Sequence, residues 1–177
     1  MLIIFKFGFF LGGITSLFLG IFLLLQNKRG LVNKTYAALS FCCAIWSFGF
    51  FGMILSQSFV AASLWRWFME SGSIIIPAVW LHFVYSFLNF SSLRQKEIFL
   101  AYTLSSLLWI LNLTDLFSLG IFTKEIVSKG IFNFYPTAGL GYYIFFIFFF
   151  LTVTYSLYRL VWALNKDDQL KFHQIWY

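Results

Sequence analysis

Five long apolar runs, separated by short polar connections, decide what this chain can fold into. A helix needs about 20 mainly apolar residues to cross the hydrocarbon layer of a bilayer. The runs Leu2–Gln26, Tyr36–Ser56, Phe68–Asn89, Ile98–Phe117 and Tyr142–Asn165 each reach that length. Inside lipid every backbone polar group must find its partner within the protein, which selects helices for such runs. The sequence therefore predicts an all-α, polytopic transmembrane helix bundle with five complete spans, one membrane-embedded region over residues 1–177. After the fifth run "KDDQLKFHQ" leads into "IWY", so the start of a sixth span is expected from about residue 172, cut within that helix. The first run begins with the chain but is too long for a signal peptide, and no small-x-small cleavage site precedes "QNKRG".

Composition agrees with lipid as the solvent. The residues AVILMFWYC make up 61% of the chain and charged residues 10%, against about 45–50% and about 25% in soluble domains. The net charge of +6 would suggest an acidic partner in a soluble protein. Here lysine and arginine mark cytoplasmic connections. With the amino terminus outside, Lys28, Arg29, Lys34, Arg94, Lys96, Arg159, Lys166 and Lys171 fall on the cytoplasmic side, against Lys6, Arg66, Lys124 and Lys129 outside. The expected location is the inner (plasma) membrane. No basic patch interleaves with aromatics outside the apolar runs, so no nucleic-acid partner is expected.

Chemistry-bearing motifs are few. Cys42 and Cys43 are adjacent and point about 100° apart on a helix, so they cannot bridge each other, and no other cysteine exists. There is no phosphate-binding glycine loop, HExxH or GxSxG. No catalytic residue, metal ligand or cofactor is expected. The sequons at Asn33, Asn89 and Asn112 read as chance matches, two on the cytoplasmic side and one at membrane depth.

Several positions invite a role in helix contacts. Gly8, Gly12, Ser16 and Gly20 recur every four residues and form a stripe that lets another helix approach closely, within the chain or in a homodimer. Arg66 and Glu70 share a helix face at the outer end of the third span. They read either as an interfacial ion pair or as a ligand or proton contact at the mouth of the bundle. Pro77 removes a backbone hydrogen bond and kinks its helix, as a static feature or as a hinge. His82 has no histidine or carboxylate at i±3 or i±4. It reads as a neutral imidazole bonded to a hydroxyl or carbonyl of another helix, set against the functional role that intramembrane ionisable groups often have. Asp115 is expected at the interface. Most tryptophans and the Tyr142–Tyr143 pair mark membrane boundaries, with Trp46 and Trp80 deeper.

The order of these features resembles the amino-terminal seven-transmembrane region of bacterial sensor histidine kinases. The matching pieces are "LFLGIFLLLQNKRGLVNKTYAALSFCCAIWSFGF" and "AASLWRWFMESGSIIIPAVWLHFVYSFL", with Asn33, Trp46, Gly49, Trp65, Arg66, Glu70, Pro77 and Trp80 at the characteristic positions. The resemblance implies a two-component sensor whose input stops within the sixth helix. Its output would be a cytoplasmic histidine kinase or diguanylate cyclase acting in cis or trans, with no enzyme activity in this chain. Arg66, Glu70, Pro77, Trp80 and His82 become its signal or helix-switch candidates. Other readings of the same pattern are a small transporter or channel-like subunit, or a helix-binding scaffold. No internal repeat supports the transporter.

Overall fold

The computed structural model describes residues 2–26, 30–117 and 119–166. It contains five long helices: α1 (Leu2–Gln26), α2 (Leu31–Leu55), α3 (Phe59–Phe87), α4 (Gln95–Thr114) and α5 (Leu140–Lys166). All five are long and apolar enough to cross a membrane, α4 together with the short 3-10 turn Asp115–Phe117 that continues it. The chain is a multi-pass helical membrane protein. The expected sixth span lies outside the described residues, as do Asn27, Lys28 and Arg29.

Helices α2 to α5 all begin earlier than the apolar runs suggest, α2 and α3 by the most. Helix α2 starts at Leu31, because the stretch "LVNK" carries no helix breaker after Gly30. Helix α3 starts at Phe59, nine residues before Phe68, where the Ser58 hydroxyl accepts the Ala61 amide as an N-cap. The extension moves Arg66 and Glu70 inward. At a rise of 1.5 Å per residue, Glu70 lies about 16 Å from the first residue of α3 and His82 only about 7 Å from its last. Glu70 thus lies farther from the nearest end of α3 than His82 does.

Helix α3 is the hub. Half of its apolar window (50%) is buried, against 11% for both α1 and α5, whose outward faces remain for lipid. Each buried apolar cluster includes α3. Met53 of α2 meets Ala62 and Met69, Leu108 of α4 and Phe145 of α5 meet Ile74, and Ala101 of α4 meets Ala78, Leu81 and Tyr85. Ala163 of α5 joins Val84 and Leu88. Glycines set the closest approach. A Cβ on Gly49 would stand 2.5 Å from Met69 Cα, and one on Gly72 would stand 2.8 Å from the Cys42 carbonyl oxygen. Helices α2 and α3 thus touch backbone to backbone.

The connection between α4 and α5 is not irregular. Thr123–Lys129 (β1) and Phe132–Ala138 (β2) form an antiparallel hairpin, with Ile126 opposite Pro136 and Val127 opposite Tyr135. Gly130 takes φ +59° in the turn. A lone two-stranded hairpin is marginal by itself, so it needs anchors. Phe132 supplies one, with its ring edge-on to Phe5 of α1 (5.6 Å) and to Phe50 of α2 (6.0 Å). At its base the Gly139 amide donates to the Phe122 carbonyl and the Gly141 amide to that of Ile121. The amino end of α1 and the α2–α3 connection share this end of the bundle.

Candidate functional site: a charge clamp under the hairpin

The second anchor is electrostatic. The Arg66 guanidinium donates from Nη1 to Glu70 Oε2 at 2.5 Å and to Asn112 Oδ1 at 3.4 Å, and pairs with Asp115 Oδ2 at 3.5 Å. All three charged side chains are buried, with 2–4% of their surface exposed. Asn112 and Asp115 lie three apart where α4 ends, one helical turn on a shared face. Asn112 is held from α3, donating to the Trp67 carbonyl (3.4 Å) and the Ser71 hydroxyl (3.5 Å).

The Asp115 side chain is buried, although its position near a span end suggested an interfacial place. Its carboxylate gathers three consecutive backbone amides, those of Ile121 (2.7 Å), Phe122 (3.1 Å) and Thr123 (2.5 Å). The chain can curl back over the carboxylate because Gly120 adopts φ +64°, a region costly for other residues. Thr123 then closes the circuit, its hydroxyl donating to Glu70 Oε1 at 2.6 Å. Helix α3, the end of α4 and the first residue of β1 are thereby joined in one network of buried charges and hydrogen bonds. Breaking such a network leaves a charge uncompensated, at a cost of about 3–5 kcal/mol.

Space flanks the clamp on both sides. One cleft of about 310 Å³ is lined by Arg66, Asp115, Thr123 and Lys124. The other, about 400 Å³, lies between the hairpin and helices α2, α3 and α5, and is lined by Glu70, Thr123, Lys129 and the rings of Trp46, Phe50, Tyr135 and Tyr142.

The other expected positions lie elsewhere. Pro77 is fully buried in α3, and beside it the Ser105 hydroxyl of α4 donates to the Ile74 carbonyl at 3.0 Å. Trp80 packs against Phe83 and against the buried cluster of Val84, Leu88 and the α5 residue Ala163. His82 Nδ1 lies 3.2 Å from the Tyr102 hydroxyl of α4. Of the small-residue stripe, Gly12 and Gly20 face Ser47 and Phe41 of α2, while a Cβ on Gly8 would meet nothing within 4 Å. Ser16 is half-buried on the same helix. Cys42 and Cys43 are free thiols.

A second polar cluster ties the helices at the end away from the hairpin. Glu97 of α4 accepts from the hydroxyls of Tyr85 of α3 and Tyr155 of α5 (the latter at 3.2 Å) and from Arg94 at 2.7 Å. Among the described residues no group of three or more histidine, cysteine, aspartate or glutamate side chains is arranged to hold a metal.

Fold and clamp together define a class: a polytopic helical membrane protein whose central helix bears a hairpin locked down by a buried charge network. A family described as the N-terminal 7TM region of histidine kinase matches residues 9–177, and the chain belongs to that family. No curated protein and no solved structure gives a match.

Proposed function

We propose that this chain is the membrane-embedded input of a signal-transduction receptor, and that the hairpin clamp is where a stimulus acts on α3. The amino terminus and the hairpin face outward, in keeping with the bias of basic residues to the opposite side. The output is a histidine kinase module in cis or trans, reached through the helix ends on the cytoplasmic side of the plasma membrane.

One observation carries this reading. A single helix holds the buried Arg66–Glu70 pair under the hairpin, Pro77 in its middle and Tyr85 in the Glu97–Tyr155 cluster at its far end. A stimulus that loosens or tightens the hairpin changes what Glu70 is bonded to. The change then reaches Glu97 and Tyr155 along a helix that already spans both ends. Two discrete packings of such a helix, biased differently by the stimulus, are what switching requires.

The test is phosphorylation of the associated kinase in native membranes. Thr123→Val and Glu70→Gln open the clamp from either side, and each is expected to change basal phosphorylation at least about threefold in the same direction. If hairpin accessibility rises in both variants while phosphorylation stays at the wild-type level, the clamp is structural and the reading fails.

A further inference from the structure

We infer that the cavity between the hairpin and helices α2, α3 and α5 is a binding site for a small organic ammonium compound, an inference that rests on the clamp being the stimulus site. Its volume of about 400 Å³ falls in the range of small-molecule sites. Two features of its wall select for positive charge.

The first is ring chemistry. Trp46 and Phe50 of α2, Tyr135 of β2 and Tyr142 of α5 line the space. Aromatic faces attract cations through the negative centre of the ring quadrupole, and cages of such rings are how proteins recognise ammonium groups. This cage already engages one: the Lys129 ammonium sits 4.8 Å from the centre of the Tyr135 ring. The tethered lysine shows that the wall accepts a cation.

The second feature is charge balance. The clamp buries two carboxylates, Glu70 and Asp115, against one guanidinium, Arg66. Glu70 lines the cavity, whereas Arg66 and Asp115 line the cleft on the other side. Glu70 is therefore the clamp carboxylate that borders the ring side of the cavity. A ligand ammonium in the cage takes the place held by Lys129 and draws on Glu70. It competes there with the Thr123 hydroxyl that ties Glu70 to the hairpin. Occupancy and hairpin release then become a single event.

The experiment is calorimetric titration of the full chain in lipid nanodiscs with choline, with the uncharged isostere 3,3-dimethylbutanol as control. Saturable choline binding without saturable binding of the alcohol is expected. Tyr135→Leu, which removes the ring under the Lys129 ammonium, should weaken choline at least about tenfold. Lys129→Gln should tighten it about threefold or more, because the competing ammonium is gone. Equal binding of choline and its isostere, or choline binding unmoved by both variants, overturns the proposal. These outcomes are independent of the kinase. Choline binding with unchanged phosphorylation in the clamp variants leaves this site standing and removes the reading above. Changed phosphorylation without choline binding does the reverse.

Discussion

Asp115→Ala is the sharpest perturbation of the clamp. The carboxylate accepts three backbone amides, at 2.7, 3.1 and 2.5 Å, and pairs with Arg66. Hydrogen bonds to a charged group contribute about 1.5–3 kcal/mol each. Three neighbouring bonds are not independent, so the sum overstates the loss, and roughly 3–5 kcal/mol of hairpin-opening free energy is the expected change. Each 1.4 kcal/mol is about tenfold in an equilibrium constant. Amide hydrogen exchange at residues 121–123 should therefore accelerate by about a hundredfold or more, while the amides of α2 and mid-α3, which do not touch Asp115, keep their protection. Asp115→Asn retains an acceptor oxygen without the charge and should fall between, at about tenfold. Exchange mass spectrometry in nanodiscs reads all three proteins. Acceleration of less than about threefold in the alanine variant, or equal acceleration by alanine and asparagine, would refute the claim that this carboxylate holds the hairpin.

Three further outcomes follow from the packing. Gly49→Ala drives a methyl group into the Met69 backbone, which cannot swing aside, and should lower stability to thermal unfolding in detergent by about 1–3 kcal/mol; Gly8→Ala, with open space around it, should leave the midpoint unchanged. Ser105→Ala deletes the interhelical bond to the Ile74 carbonyl, and equilibrium unfolding should show a loss of about 1 kcal/mol, typical for such bonds in membranes. Tyr85→Phe removes the hydroxyl that links α3 to Glu97, and spin-label distances between α4 and α5 at that end should broaden while those beside the hairpin stay narrow.

The helices were legible because lipid imposes a length and a composition that a sequence must display. Arg66 and Glu70 were legible as a pair because i,i+4 is local arithmetic. Their depth was not, since the start of α3 depends on Ser58 and on residues 59–67 that are only moderately apolar. The burial of Asp115 was hidden for a different reason. A carboxylate near a span end belongs to solvent unless backbone amides come to it, and those amides arrive from six to eight residues downstream. The signal available was Gly120, the residue whose left-handed backbone lets the chain return. The hairpin was hidden by its pattern: the strands TKEIVSK and FNFYPTA, with Pro136 in the second, carry little of the alternation that marks a sheet. Thr123 had no local mark at all, because its role comes from a helix 53 residues earlier.

The way the neighbours of α3 hold it restricts how it can respond. Against α2 the approach is backbone to backbone, through Gly49 beside Met69 and Gly72 beside Cys42, and both contacts bracket Glu70. Close-packed interfaces of this kind resist sliding, because any shift drives main chain into main chain. Helices α2 and α3 therefore behave as one body at the level of the clamp. Against α4 and α5 the contacts run through side chains: apolar packing at Ala101, Leu108, Phe145 and Ala163, and bonds from Ser105 and Asn112 near the proline and the clamp and through Glu97 and Tyr155 at the far end. Side-chain bonds can exchange partners while the backbones move. On the proposed function, the displacement produced by freeing Glu70 is thus a movement of the α2–α3 pair relative to α4 and α5. Glu97 lies where that movement must be read out, fifteen residues along α3 from Glu70 to Tyr85, about 22 Å at helical rise.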